Sequence, residues 1–362
     1  MPSDTYDNGM GRFGERGEGA VHLVGSVPRP TNEEAFASVA ATLGDRIVRL
    51  PDGETGSRSD WIAWQYPVLL ARPEFAVCPV GDHPYRSFPR LRLVGPNAAD
   101  SLRFDGLGYA QAASDSYRTF TRLQSDGLIA EHVRFQVCLP TPLAPIVAFV
   151  APEHQAGVES AYERAMQLEL EQILATIPHE RLAIQWDANF EFALLGGLVD
   201  PWFSNVRSGV VERLCRLASA VPSGVELGFH FCHDHERLRH DEPYDARHMV
   251  EVANALVAAS SRPLDWLHLP VPPDRVDVGF FEKLAPLELS SGTDLYLGLV
   301  HLDQGEMGVA ARITAARRFL PHFGIATACG WGRHAPGDFA ALMHLHASAD
   351  LPLSNTSKGT TG

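Results

Sequence analysis

Apolar residues come along this chain in short runs separated by longer stretches of helical period. The runs are "AVHLV" (20–24), "RIVRL" (46–50), "VRFQVCL" (133–139), "LAIQW" (182–186), "VELGFHF" (225–231), "LDWLHL" (264–269), "LYLGLV" (295–300) and "GIATA" (324–328). They are rich in β-branched and aromatic residues, and several are apolar at consecutive positions, as parallel strands covered on both faces should be. Between them lie segments with apolar residues at helical spacing, from "TNEEAFASVAATLGD" near the start to "GDFAALMHLHASAD" near the end. The first opens with Thr31 and has Glu34 three residues on, a capping box. Eight strands alternating with helices predict an α/β chain folded as a single (β/α)8 TIM barrel. One gap breaks the alternation. Residues 52–132 form a long, Pro-interrupted insertion after strand 2, with helical segments "SDWIAWQYPVLLA" and "YAQAASDSYRTFTRLQSDG". We expect it to lie over one end of the barrel.

Composition narrows the class of protein. The 362 residues are 45% apolar and 20% charged, ordinary for a soluble domain. The barrel is expected over 19–350, between polar, Gly-rich tails at 1–18 and 351–362. The formal net charge is −14 and there is no Lys/Arg-rich run. That argues against nucleic acid or an anionic membrane surface as a partner and leaves a small-molecule substrate. The most apolar segment, "LAPIVAFVAP" (143–152), is far shorter than the roughly 18 residues of a membrane span. The first residues carry no signal pattern, so a cytoplasmic location is expected. Five cysteines, an odd count without an export signal, point to reduced thiols, buried or metal-bound. A homodimer is one open oligomeric state.

Barrel active sites lie at the C-terminal ends of the strands. Here those ends are polar: Gly25, Ser26 and Arg29 after strand 1, Asp52 and Glu54 after strand 2, Gln185, Asp187 and Glu191 at strand 4. Strand 5 ends in His230 and Cys232, strand 6 in His268, strand 7 in His301, and strand 8 in Cys329. Residues i and i+2 of a strand share a face, so His230 and Cys232 both point into the barrel. Imidazole and thiolate are preferred zinc ligands, and Cys329 offers a third. Three protein ligands with one open position make a catalytic arrangement; four make a structural one. The plainer reading is that a buried cysteine is only a small hydrophobe. Cys215, inside a helical segment, is read that way.

Five stretches, in order and each at a strand end, resemble the catalytic barrel of cobalamin-independent methionine synthase, in the superfamily that includes uroporphyrinogen decarboxylase. They are "VGSVPRP", "DGE" (52–54), "IQWD" (184–187), "HFC" (230–232) with "ACG" (328–330), and "GLVHLDQGEM". The resemblance implies a zinc-dependent methyl or alkyl transferase acting on a thiol. It implies that His230, Cys232 and Cys329 hold zinc. Gly25 and Ser26 would bind a carboxylate, and Glu54 and Asp187 the ammonium group of an amino-acid-like thiol. His301 would be the proton donor to the leaving group.

The sequence also departs from that family. It is expected to hold the catalytic barrel alone, without the folate-binding N-terminal barrel. The family's fourth zinc ligand is a glutamate on strand 6, where this chain has His268 in "DWLHLPVPPD", either a fourth ligand or a group beside the site. In "IQWDANFEF" the family's Glu-Pro after the aspartate is missing, and Glu191 is either the substitute carboxylate or a solvent-facing residue. Trp61, Trp64, Trp331 and Arg333 are candidates for lining the pocket mouth, with core packing the favoured reading for Trp61 and Trp64, which are three apart. His233 and His235 are read as bystanders in a solvated loop. The alternative function is a lyase or decarboxylase drawing on Arg29, Asp52 and His301.

Overall fold

The computed structural model describes residues 20–79, 88–232 and 246–350. The expected tails and the His233 and His235 loop lie outside these residues. The first strand, β1, is Arg49–Pro51. β2 (Phe75–Val77) and β3 (Leu91–Leu93) pair antiparallel inside the insertion. The remaining strands are β4 (Arg134–Pro140), β5 (Leu182–Ala188), β6 (Glu226–Phe231), β7 (Trp266–Pro270), β8 (Asp294–Val300) and β9 (Gly324–Thr327). β1 and β4–β9 make one curled parallel sheet, hydrogen-bonded in that order. Helices alternate with the strands, as a TIM-like barrel requires.

The first apolar run is corrected from a strand to a single bridge. Val21 pairs in parallel with Ile325, and its N–H donates to the Arg46 carbonyl at 2.9 Å. That links β9 to the β1 side of the sheet. The run goes no further because the chain turns at Gly25, and Pro28 and Pro30 have no N–H for a ladder. The insertion also differs from expectation. Of "SDWIAWQYPVLLA" only Gln65–Leu70 is helical, since Trp61 takes a left-handed backbone conformation, φ 46°. The second segment does form a helix, Tyr109–Ser125. Buried Glu169 caps its start, accepting from the N–H groups of Leu107, Gly108 and Ala110. "LAPIVAF" is a wholly buried helix, Leu143–Phe149. Among the described residues no helix is long and apolar enough to cross a membrane.

Aliphatic and aromatic side chains fill the space between sheet and helices. Each large one fully buried stabilises the fold by about 1.5–3 kcal/mol. Inside the barrel the packing is a polar column instead. At its lower end Arg49 donates to Glu226 at 2.6 Å, faces Asp294 at 3.6 Å, and lies 4.2 Å above the Trp266 ring. Trp266 fits because position 228 is glycine; a Cβ there would sit 1.9 Å from the indole. Above it, Gln185 accepts from His22 across 2.8 Å. The next layer up is Asp187, His230 and His268, neighbours in register across β5, β6 and β7.

Candidate metal centre and substrate pocket

His230 stands on the last turn of side chains of β6, and Cys232 follows the strand. The Cys232 N–H still donates to the Ala188 carbonyl at 2.8 Å, so the extended geometry persists and both side chains point inward. Cys329 arrives from beyond β9, its carbonyl held by the Thr327 hydroxyl at 2.7 Å. One ligand atom from each of His230, Cys232 and Cys329 lies within 4.8 Å of the others, and the two sulfurs are 3.4 Å apart. The Cys329 thiol is held well below the usual thiol range, first by the hydrogen bond from Cys232, against the effect of burial.

These three residues suit zinc on their own chemistry. The donor set is one imidazole and two sulfurs, and the Nε2 atom of His230 is buried without a hydrogen-bond partner. His268 is not part of the group. Its Nδ1 is 2.7 Å from the Nδ1 of His230, and its Nε2 is 3.0 Å from the Thr327 carbonyl, so both ring nitrogens are engaged. Burial keeps His268 neutral, with its pKa well below the ordinary histidine value.

The triad lies in the wall of a cavity of 790 Å³ at the C-terminal end of the barrel. Gly25, Ser26, Glu54, Asp187 and His301 line the same cavity. Glu54 sits in a turn where Gly53 has φ 78°, and a Cβ on Gly53 would come within 2.8 Å of Val27. Burial pushes the Glu54 carboxyl up to about 8, Arg58 opposing and Asp52 adding. Burial likewise pushes Asp187 well above the carboxylate range, and Glu54 adds to it. Gln185 steadies Asp187, donating to its Oδ1 at 2.8 Å. Ser26 accepts from the Gly332 N–H at 3.1 Å, which ties the first loop to the one after Cys329.

His301 donates its Nε2–H toward the carbonyls of Val271 (2.8 Å) and Gly298 (3.1 Å). Burial brings its pKa down to about 4, with Arg312 adding. At neutral pH it is therefore an uncharged ring whose Nδ1 can accept a proton.

Four residues expected at the substrate do not line this cavity. Arg29 lies over the Phe339 ring at 3.6 Å. The Asp52 carboxylate is taken up by Arg58, by the Ser116 hydroxyl at 2.6 Å and by the Glu54 N–H at 2.9 Å. Gln185 works beneath the cavity rather than in it. Glu191 is fully buried outside the lining, where burial raises its carboxyl to about 7. Conversely Trp61, placed in the core by its spacing, lines the cavity and stacks on Phe190 at 6.3 Å. Trp64 does pack inside, edge-on to Tyr109. Trp331 and Arg333 line the mouth as expected, and so does Asn189 at the end of its strand; Arg275 does so unforeseen. Asn189 follows the i, i+2 rule from Asp187, whereas Arg275 lies in a loop with no periodic signal.

No family model matches the chain, and no curated protein sequence matches it. Solved structures do. A candidate vitamin-B12-independent methionine synthase from Listeria monocytogenes aligns at 12% identity and TM-score 0.52, over 87% of this chain and 84% of its own. A B12-independent methionine synthase from Shewanella sp. W3-18-1, in complex with selenomethionine, aligns at 15% identity and TM-score 0.56, over 87% and 86%. At such identities the likeness is one of fold.

Proposed function

We propose that this protein is a zinc-dependent transferase that moves a methyl or other alkyl group onto or off the sulfur of an amino-acid-like thiol. One observation carries the reading. A three-residue N/S/S ligand set, with the His230 Nε2 atom buried and without a hydrogen-bond partner, opens onto a 790 Å³ cavity whose lining includes the carboxyl groups of Glu54 and Asp187. The fold it shares with a methionine synthase seen in complex with selenomethionine adds support.

His230, Cys232 and Cys329 would hold the metal and leave a fourth position for the substrate. Zinc bound there would keep a coordinated thiol deprotonated near neutral pH, where a free thiol of pKa about 8.5 is mostly protonated. Glu54 and Asp187 bind the ammonium group. Burial disfavours the ionised form of both, and a cation between them stabilises the ionised pair. Ser26 and the Gly25 backbone orient the carboxylate. His301 accepts the thiol's proton at Nδ1 and passes it to the leaving group, its ring fixed by the two carbonyls at Nε2. Trp61 lines the same cavity and hydrogen-bonds Asp187, which helps to hold that carboxyl in place.

The lyase or decarboxylase alternative draws less support, since Arg29 and Asp52, on which it relied, lie outside the cavity lining. The test is zinc content by elemental analysis. Wild-type protein should carry one zinc per chain, and a Cys232→Ser/Cys329→Ser double variant should carry none and transfer no alkyl group. Full zinc in the double variant would sink the assignment.

A further inference from the structure

We infer that His268 is a positioning residue: it fixes the tautomer and aim of His230 and ties that ligand, through Thr327, to the turn carrying Cys329. The inference rests on the zinc reading above and deepens it. The Nδ1 atoms of His230 and His268 are 2.7 Å apart, so one must donate and the other accept. The direction is set on the far side of His268. Its Nε2 lies 3.0 Å from the Thr327 carbonyl oxygen, which can only accept. His268 is fully buried and no carboxylate is bonded to it among the described residues, so its ring is neutral and has one N–H. That N–H is spent on Thr327. Its Nδ1 is then a lone pair, and His230 donates its Nδ1–H to it. The Nε2 of His230 is left bare, and it is the buried atom without a partner.

Thr327 completes the link. Its carbonyl holds His268 and its hydroxyl donates to the Cys329 carbonyl at 2.7 Å. One hydrogen-bonded path thus joins ligands on β6 and beyond β9 through β7. Packing alone does not call for histidine here. The position is fully buried, and a leucine would fill the layer without the cost of burying a polar ring. The partner of a ligand histidine fixes its tautomer and raises its basicity, and removing such a partner weakens metal binding by about 10–100-fold.

The experiment compares zinc affinity, by competition with a chromogenic chelator, in wild type, His268→Leu and His268→Gln. Leu removes the relay. Gln offers an amide oxygen to His230 and an amide N–H to Thr327. His268→Leu should bind zinc about 10–100-fold more weakly, with a shifted cobalt(II) absorption spectrum, and His268→Gln should recover most of the loss. Wild-type affinity in His268→Leu, or equal loss in both variants, would overturn the inference. A second measurement needs no variant to fold. In metal-free wild type, 15N spectra of the histidine rings should show His230 as the Nδ1–H tautomer and His268 as the Nε2–H tautomer; the reverse assignment overturns it. Wild type that takes up neither zinc nor cobalt sinks the zinc reading itself, which the ring spectra keep separate.

Discussion

The two ends of the barrel interior hold polar groups on opposite terms. At the lower end charge meets charge: Arg49 faces Glu226 and Asp294, and Arg134 reaches the other oxygen of Glu226 at 3.2 Å. These neighbours hold the Arg49 guanidinium charged against the effect of its burial. At the upper end burial forces groups toward neutrality: Glu54 up to about 8, Asp187 well up, His301 down to about 4. The lower cluster is finished by the chain itself. On the proposed function the upper one is finished by the substrate that binds there, as perturbed ionisation in a cavity suggests.

The largest effect should come from breaking the lower cluster. Arg49→Met keeps the bulk but leaves Asp294 in the barrel without its cation and Glu226 with Arg134 alone. Removing one partner of a buried charge network costs about 3–5 kcal/mol, so urea unfolding should shift by that much. A variant as stable as wild type would mean that the lower cluster is no more committed than the upper one.

Acid should drain stability next. His22 is fully buried with its pKa brought down to about 3, by burial and then Arg49, and His346 is brought down to about 4 by burial. A histidine with a depressed folded pKa stays neutral while the unfolded chain takes up a proton near 6.5. Stability is therefore present above 6.5 and is lost as pH falls from there toward 4 and 3. The loss should be roughly 1 kcal/mol per histidine over the first pH unit, read as a falling melting temperature between pH 6.5 and 5.5. His346→Gln should flatten that slope; an unchanged slope would remove His346 from the account.

Much of this division could be read before the fold was seen, and the reasons are local. Strand period put His230 and Cys232 on one face, and a strand end put Cys329 at the same mouth. Glu54, Asp187 and Ser26 followed from barrel polarity. What failed was direction. Asp52 and Glu54 share one turn, yet Asp52 is claimed by Arg58 six residues on and by Ser116 of the insertion, 64 residues on. Nothing periodic announces such a long-range partner. Trp61 was misplaced because its left-handed backbone breaks the helical spacing from which its burial was inferred. The β2–β3 pair went unseen because three residues per strand are too few for a period to show.

The smallest effect on the fold, and the sharpest on the comparison, should come from Asp187→Asn. The amide has the shape of the carboxyl, and its oxygen still accepts from Gln185, which now reaches Oδ1 at 2.8 Å. Because burial already disfavours the ionised form, the change removes little that the folded protein uses by itself, and unfolding free energy should stay within about 0.5 kcal/mol of wild type. Binding is another matter. An ammonium group loses a charge-assisted partner worth about 1.5–3 kcal/mol, so affinity for an amino-acid thiol should fall about 10–100-fold, read by calorimetry. The same thiol without its ammonium group should bind the two proteins alike. Equal losses for both ligands would place Asp187 with the structural charges of the lower end, and the contrast between the two ends would collapse.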